Sequence, residues 1–180
     1  MLLEPLIKDF VSEFRTLLHV ELYNTAGLRH ELVSYLDGAL SLENYGVQVE
    51  RKATAVVLEP YEAVSQEAIL DIYIFERAGK GQFCIQVMAV SSPDQGSWAE
   101  ASKNIRFLEE LSAHGFRETG FFFAYQQPGQ HLEIELIFQR SEPSYSMVWQ
   151  ELTPASHDSK GPWMYCFIQP GTVVPANKNT

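Results

Sequence analysis

Two apolar runs joined by a short glycine turn constrain the fold of this chain more than any other feature. Residues 70–75 read Leu-Asp-Ile-Tyr-Ile-Phe, and residues 83–90 read Phe-Cys-Ile-Gln-Val-Met-Ala-Val. The segment Gly79-Lys80-Gly81 between them is typical of a hairpin turn. Because short apolar runs bounded by turn residues are typical of buried strands, the pattern predicts two neighbouring strands.

The rest of the chain supplies helices and further strands around this pair. Apolar residues at helical spacing predict helices within residues 4–20, 28–40 and 97–114. Strands are predicted within residues 47–58, 119–126, 132–138, 144–152 and 163–169. This order of elements predicts an α+β fold, in which helices pack on a mixed sheet.

Cap residues mark the ends of two predicted helices. The segment 24–27 (Asn-Thr-Ala-Gly) ends the first apolar run and supplies caps for the second helix. Ser97 and Glu100 match a capping box at the start of the third helix, and Gly115 is a suitable stop after it.

The size and composition of the chain predict one domain. The 180 residues are 46% hydrophobic and 20% charged, which suffices to bury one core. We expect a single domain over residues 1–180. Its parts are an N-terminal helix (1–25), a core (26–126), additional strands (127–170) and a flexible tail (171–180).

The charge balance bears on partners. The formal net charge is −10, whereas proteins that bind phosphates usually carry a basic stripe. The balance therefore argues against nucleic acid and favours either solubility or a basic protein partner. The N-terminus does not resemble a signal peptide, no run approaches about 20 apolar residues, and two cysteines do not make a secreted disulfide framework. We expect a cytoplasmic protein without a membrane span, and the sequence leaves the oligomeric state open.

Residues 86 and 88 stand out within the second apolar run. Side chains two apart on a strand point to the same face, so Cys84, Gln86, Met88 and Val90 are predicted to share one face. A glutamine is an uncommon member of such an apolar strand.

An aspartate on one strand, followed by a carboxylate-x-lysine on the next, is the metal-binding layout of the restriction-endonuclease-like (PD-(D/E)XK nuclease) superfamily. From Leu28 to about Tyr125 the chain resembles the core of that superfamily, with N-terminal helices and extra C-terminal strands outside it. The resemblance places Asp71 at the metal-binding aspartate, Gln86 at the second acidic position and Met88 at the lysine. It matches Glu31 to a helix glutamate that is an extra ligand in some members.

The resemblance implies a degraded site. Mg²⁺ prefers several oxygen ligands, and the lysine of such a site helps to activate the attacking water. With an amide and a thioether at two of these positions, no residue is confidently catalytic. Asp71, Gln86 and Met88 form a relic site, Asp71 and Glu31 are the candidate metal ligands, and no cofactor is expected unless the protein is an active Mg²⁺ enzyme. Lys103 is predicted to face solvent, so it does not replace the missing lysine.

Ordinary structural roles also account for these residues. Glu31 is explained by a solvated helix position, Asp71 by a hydrogen-bonded strand position, and Met88 by core packing, which we favour. Three functions stay open. The favoured one is an inactive nuclease-fold protein that binds another protein, as a complex subunit or an immunity-type inhibitor. The others are an atypical Mg²⁺-dependent nuclease and a generic α+β ligand-binding domain.

Overall fold

The computed structural model describes residues 2–16, 24–56, 68–91, 95–126, 150–153 and 162–170. The helices are α1 (Leu3–Phe14), α2 (Thr25–Ala39) and α3 (Gln95–Ala113), with a short 3-10 helix at Ala53–Ala55. The strands are β1 (Tyr45–Lys52), β2 (Ile69–Glu76), β3 (Gln82–Val90), β4 (Glu118–Tyr125), β5 (Gln150–Thr153) and β6 (Trp163–Ile168).

The six strands form one mixed sheet in the order β1-β2-β3-β4-β6-β5. The first three strands pair antiparallel in sequence order, and the connection between β2 and β3 is short, as antiparallel neighbours allow. Strands β3 and β4 are parallel, with α3 between them in the chain, because a parallel pair needs a crossover connection. Strand β6 pairs antiparallel with both β4 and β5. The predicted α+β fold with a mixed sheet is confirmed.

Helices cover both faces of the sheet, and each face has its own core. Apolar residues of α1 and α2 pack on one face, and those of α3 pack on the other. Strand β3 is buried on both sides. Its residues alternate as predicted: Phe83, Ile85, Val87 and Ala89 lie in the α1–α2 core, and Cys84, Met88 and Val90 lie in the α3 core.

Most predicted element boundaries agree with the structure to within a few residues. The Asn24 side chain accepts a hydrogen bond of 2.9 Å from the Gly27 N–H at the start of α2, which confirms the predicted cap. Gly115 follows α3 with φ of 92°, a left-handed conformation that glycine adopts without a Cβ clash. Helix α3 begins at Gln95, two residues before the predicted capping serine, Ser97.

The strand predicted over residues 47–58 is too long. Strand β1 ends at Lys52, and the chain then turns into the 3-10 helix. Ala53 is fully buried in the α3 core and its N–H donates to the Ala68 carbonyl, so a local turn replaces the strand suggested by the apolar sequence. Several predicted segments (17–20, 57–58, 132–138 and 144–149) lie outside the described residues. No helix within the described ranges combines the length and apolar character needed to cross a bilayer.

Candidate functional site

Strands β2 and β3 separate at the position of Asp71. Their ladder runs from the Phe75–Gln82 pair to the Ile72–Ile85 pair and ends there. The first residues of β2 remain paired with β1 alone, through Leu70–Arg51 and Ile69–Lys52. We call the space between residues 69–71 of β2 and residues 86–89 of β3 the β2–β3 gap.

Side chains bridge this gap in place of strand pairing. The backbone N–H of Val87 donates to Asp71 Oδ2 over 2.9 Å, and Gln86 Nε2 donates to the Ile69 carbonyl over 2.8 Å. The hydroxyl of Thr25, at the start of α2, accepts from the Ala89 N–H at 3.0 Å and lies 3.3 Å from the Ala89 carbonyl. These polar side chains therefore satisfy backbone groups that a continued ladder would otherwise pair.

One arginine beside the gap binds a carboxylate on each of strands β1 and β2. Arg29 Nη1 donates to Asp71 Oδ1 over 2.7 Å, and Arg29 Nη2 donates to Glu50 Oε1 over 2.6 Å. The Arg29 and Asp71 side chains are only 20% and 17% exposed, whereas that of Glu50 is 61% exposed. We call these three residues the Arg29 clamp. Its inner ion pair is sheltered from solvent and its outer pair is not.

The position of Arg29 on α2 explains its inward direction. Leu28, Leu32 and Leu36 form the buried stripe of this helix. Seven residues complete almost two helical turns, so Arg29 lies within about 20° of the direction of Leu36. A charged residue inside an apolar stripe requires a partner when it is buried. The helical spacing of Arg29 is thus a signal in the sequence itself, although the predicted site omits this residue.

The backbone is irregular at the two carboxylates of the clamp. Glu50 has φ of 51°, the left-handed region that a non-glycine residue seldom adopts. Leu70 and Ile72 flank Asp71 and are fully buried, yet Leu70 lies in the α3 core and Ile72 in the α1–α2 core. Residues two apart on a regular strand share a face. The β1–β2 ribbon therefore twists sharply at Glu50 and Asp71, where Arg29 binds it.

Burial sets the electrostatics of the gap. It raises the pKa of Asp71 above its ordinary value, and the hydrogen bonds from Val87 and Arg29 oppose this shift without cancelling it. Burial, followed by the charge of Asp71, also raises the pKa of the nearby Cys84 thiol. Because a thiolate is the reactive form, Cys84 is chemically inert in this setting.

The structure brings together some of the predicted site residues. Asp71 and Gln86 lie on adjacent strands, and the ladder register continued beyond Ile72 and Ile85 places them opposite each other. Met88 is 8% exposed within the α3 core, which confirms the core-packing interpretation. Lys103 is exposed and lies 3.5 Å from Glu100, so the prediction that it faces solvent is confirmed.

Glu31 occupies a different side of α2 from Arg29. It is half-buried, and residues two apart on a helix differ in direction by about 200°. The α2 side chain that meets Asp71 is thus Arg29. A ligand role for Glu31 stays a prediction.

The donor set around Asp71 does not fit Mg²⁺. Both carboxylate oxygens already accept hydrogen bonds, one of them from a guanidinium that a divalent cation would have to displace. Gln86 contributes a neutral amide whose nitrogen is directed at Ile69. Within the described ranges, no three His, Cys, Asp or Glu side chains group together in a way that would hold a metal ion.

Comparisons of this chain with protein-family models, with curated proteins and with solved structures find no match.

Proposed function

We propose that this chain is a nuclease-like scaffold that does not cleave nucleic acid and that acts in the cytoplasm by binding another protein. One observation carries the proposal: the Arg29 guanidinium is ion-paired at 2.7 Å with Asp71, where the resemblance expects a metal ion. A cation supplied by the protein neutralises the carboxylate but provides no activated water.

The order of elements supports the scaffold part of the proposal. Helix α2, strands β1 to β3, helix α3 and strand β4 follow one another as the restriction-endonuclease-like resemblance implies. Asp71 and Gln86 also lie on neighbouring strands at the end where those strands separate. Strands β5 and β6 would then be additions to the nuclease-like core.

The chemistry of the site supports the inactive part. Hydrolysis of a phosphodiester at a metal site needs a charged ligand set and a group that stabilises developing charge. Gln86 is neutral and Met88 is packed in the core, so two of the three charges implied by the resemblance are absent. Lys103 faces solvent on α3 and is in an ion pair with Glu100.

The charge of the chain supports a protein partner. With a formal net charge of −10, the chain repels the phosphate backbone of nucleic acids and attracts basic protein surfaces. A basic protein, bound by a complex subunit or by an immunity-type inhibitor, fits this balance. Attraction of this kind is screened by salt, so the complex is expected to weaken as ionic strength rises.

A cleavage assay tests the inactive part. The wild-type chain, incubated with plasmid, linear and single-stranded DNA and with RNA in Mn²⁺, is expected to leave all of them intact. Asp71→Ala is the matched control. Cleavage by the wild type that disappears in Asp71→Ala would instead make the chain an atypical Mg²⁺-dependent nuclease.

A capture experiment tests the binding part. The tagged chain is cross-linked in cells, and the captured protein is then purified and titrated against the chain at low and high salt. We expect a basic protein whose dissociation constant rises with salt. Tight binding of labelled duplex DNA at physiological salt, with no protein partner recovered, would refute this part.

A further inference from the structure

The distal end of the β1–β2 ribbon stands apart from the rest of the sheet. It comprises residues 49–52 of β1 and 69–71 of β2, and we call it the ribbon tip. Its backbone is paired within itself and not with β3. Residues 49–52 are all exposed, and two apolar side chains of the tip, Val49 and Ile69, are about half exposed at 49% and 48%.

Hydrogen-bonding side chains and buried apolar residues attach the tip to the body of the molecule. Across the β2–β3 gap the attachments are the Gln86–Ile69 and Val87–Asp71 hydrogen bonds. From α2 the attachment is Arg29, which binds one carboxylate on each strand of the tip. Leu70 of the tip, and Ala53 directly after the tip, add apolar contact with the α3 core. The guanidinium is the one group among these that contacts both strands.

The attached state also carries backbone strain. Glu50 holds a left-handed conformation at the sharp twist of the ribbon, and its carboxylate is the exposed end of the Arg29 clamp. Strained conformations of this kind persist only where surrounding contacts enforce them. Release of Arg29 would leave Asp71 largely buried without its countercharge, and outward movement of the tip would return that carboxylate to water.

We propose that the ribbon tip is a hinged flap that Arg29 holds against the body of the protein. When the ion pairs of Arg29 with Glu50 and Asp71 break, the tip moves as a unit while strands β3, β4 and β6 stay in place. The movement uncovers the Val87 N–H and the Gln86 amide on the side of β3 that faces the gap. The inference is independent of the proposed function, because it concerns the mechanics of the tip alone.

Amide hydrogen exchange measured residue by residue on the full chain tests the flap. In Arg29→Ala we expect the protection of Val87 to fall at least about tenfold, because its N–H donates from β3 to Asp71 Oδ2 of the tip. The amides of Ile85 and Phe122, in the central strands, should keep their protection. Arg117→Ala is the matched control, because Arg117 pairs with Glu76 at the other end of β2.

Two further variants separate the flap from general destabilisation. Arg29→Ala combined with Asp71→Asn removes the unpaired buried charge, so the protection of Val87 should recover towards the wild-type value. Arg29→Lys keeps a charge but cannot bridge two carboxylates in the same way, so an intermediate loss is expected. Unchanged protection in Arg29→Ala, or an equal loss at Ile85 and Phe122, would overturn the proposal.

Discussion

At position 50, glycine is expected to be more stable than alanine, the reverse of the usual order in a strand. Glu50 has φ of 51°, and a residue with a Cβ pays about 1–2 kcal/mol in the left-handed region. Glycine avoids that cost but loses about 0.5–1 kcal/mol through the entropy of the unfolded chain. The difference leaves Glu50→Gly more stable than Glu50→Ala by about 0–1.5 kcal/mol.

The ion pair with Arg29 affects both variants equally. The Glu50 side chain is 61% exposed, and an exposed pair of this kind contributes about 0.2–1 kcal/mol. Glu50→Ala loses this pair and keeps the strain, so it should be less stable than the wild type by that amount. Glu50→Gly loses the pair but relieves the strain, so its free energy of unfolding should lie close to the wild-type value.

Urea unfolding followed by circular dichroism measures these differences, provided that all variants share one m value. Gln48 is the matched control, because it is exposed, lies on the same strand and has no positive φ. At that position glycine should be less stable than alanine by about 0.5–1 kcal/mol. If alanine is the more stable residue at both positions, Glu50 is not strained and the twist of the ribbon has another cause.

Three further predictions concern the buried groups. Because the folded-state pKa of Asp71 is raised, the folded chain binds more protons than the unfolded chain just above the ordinary carboxyl pH range, so its stability relative to Asp71→Asn should fall as the pH rises through that range. Chemical denaturation at stepped pH values measures this difference, and the same pH dependence in the two proteins would contradict it. Burial raises the pKa of both thiols, so Cys84 and Cys166 should react with a thiol reagent only as fast as the protein unfolds locally around them. Rapid labelling of the native chain would show instead that the thiols are accessible. Met88→Leu should lower the free energy of unfolding by less than about 1.5 kcal/mol, whereas Met88→Lys should lower it by several kcal/mol because it buries an unpaired charge. Equal stabilities of the two variants in thermal unfolding would show that Met88 is not a core residue.

Local features of the fold were predictable from the sequence. The β2–β3 hairpin follows from two apolar runs and a glycine turn, and the α2 cap follows from Asn24. The two faces of β3 follow from strand periodicity, which separates Cys84 and Met88 from Val87. These features depend on interactions between residues that are close in the sequence, so local sequence patterns predict them.

Features that depend on distant contacts were not predictable in the same way. Strand β6 lies between β4 and β5, and nothing local to Trp163–Ile168 specifies which strands it pairs with. The end of β1 was missed because the apolar sequence after Lys52 resembles a strand, whereas the turn there depends on burial of Ala53 in the α3 core and on its hydrogen bond to the distant Ala68 carbonyl. Arg29 itself was detectable on the helical wheel, but its partner Asp71 is 42 residues from it, and only the folded chain identifies the pair.

Titration calorimetry with Mn²⁺ on the wild-type chain tests the central claim most directly, namely that Arg29 occupies the place of a metal ion at Asp71. Because the guanidinium already neutralises Asp71 and Gln86 adds no charge, we expect no saturable binding in the sub-millimolar range. Asp71→Ala should give the same trace as the wild type. Saturable sub-millimolar binding that is lost in Asp71→Ala would contradict the account.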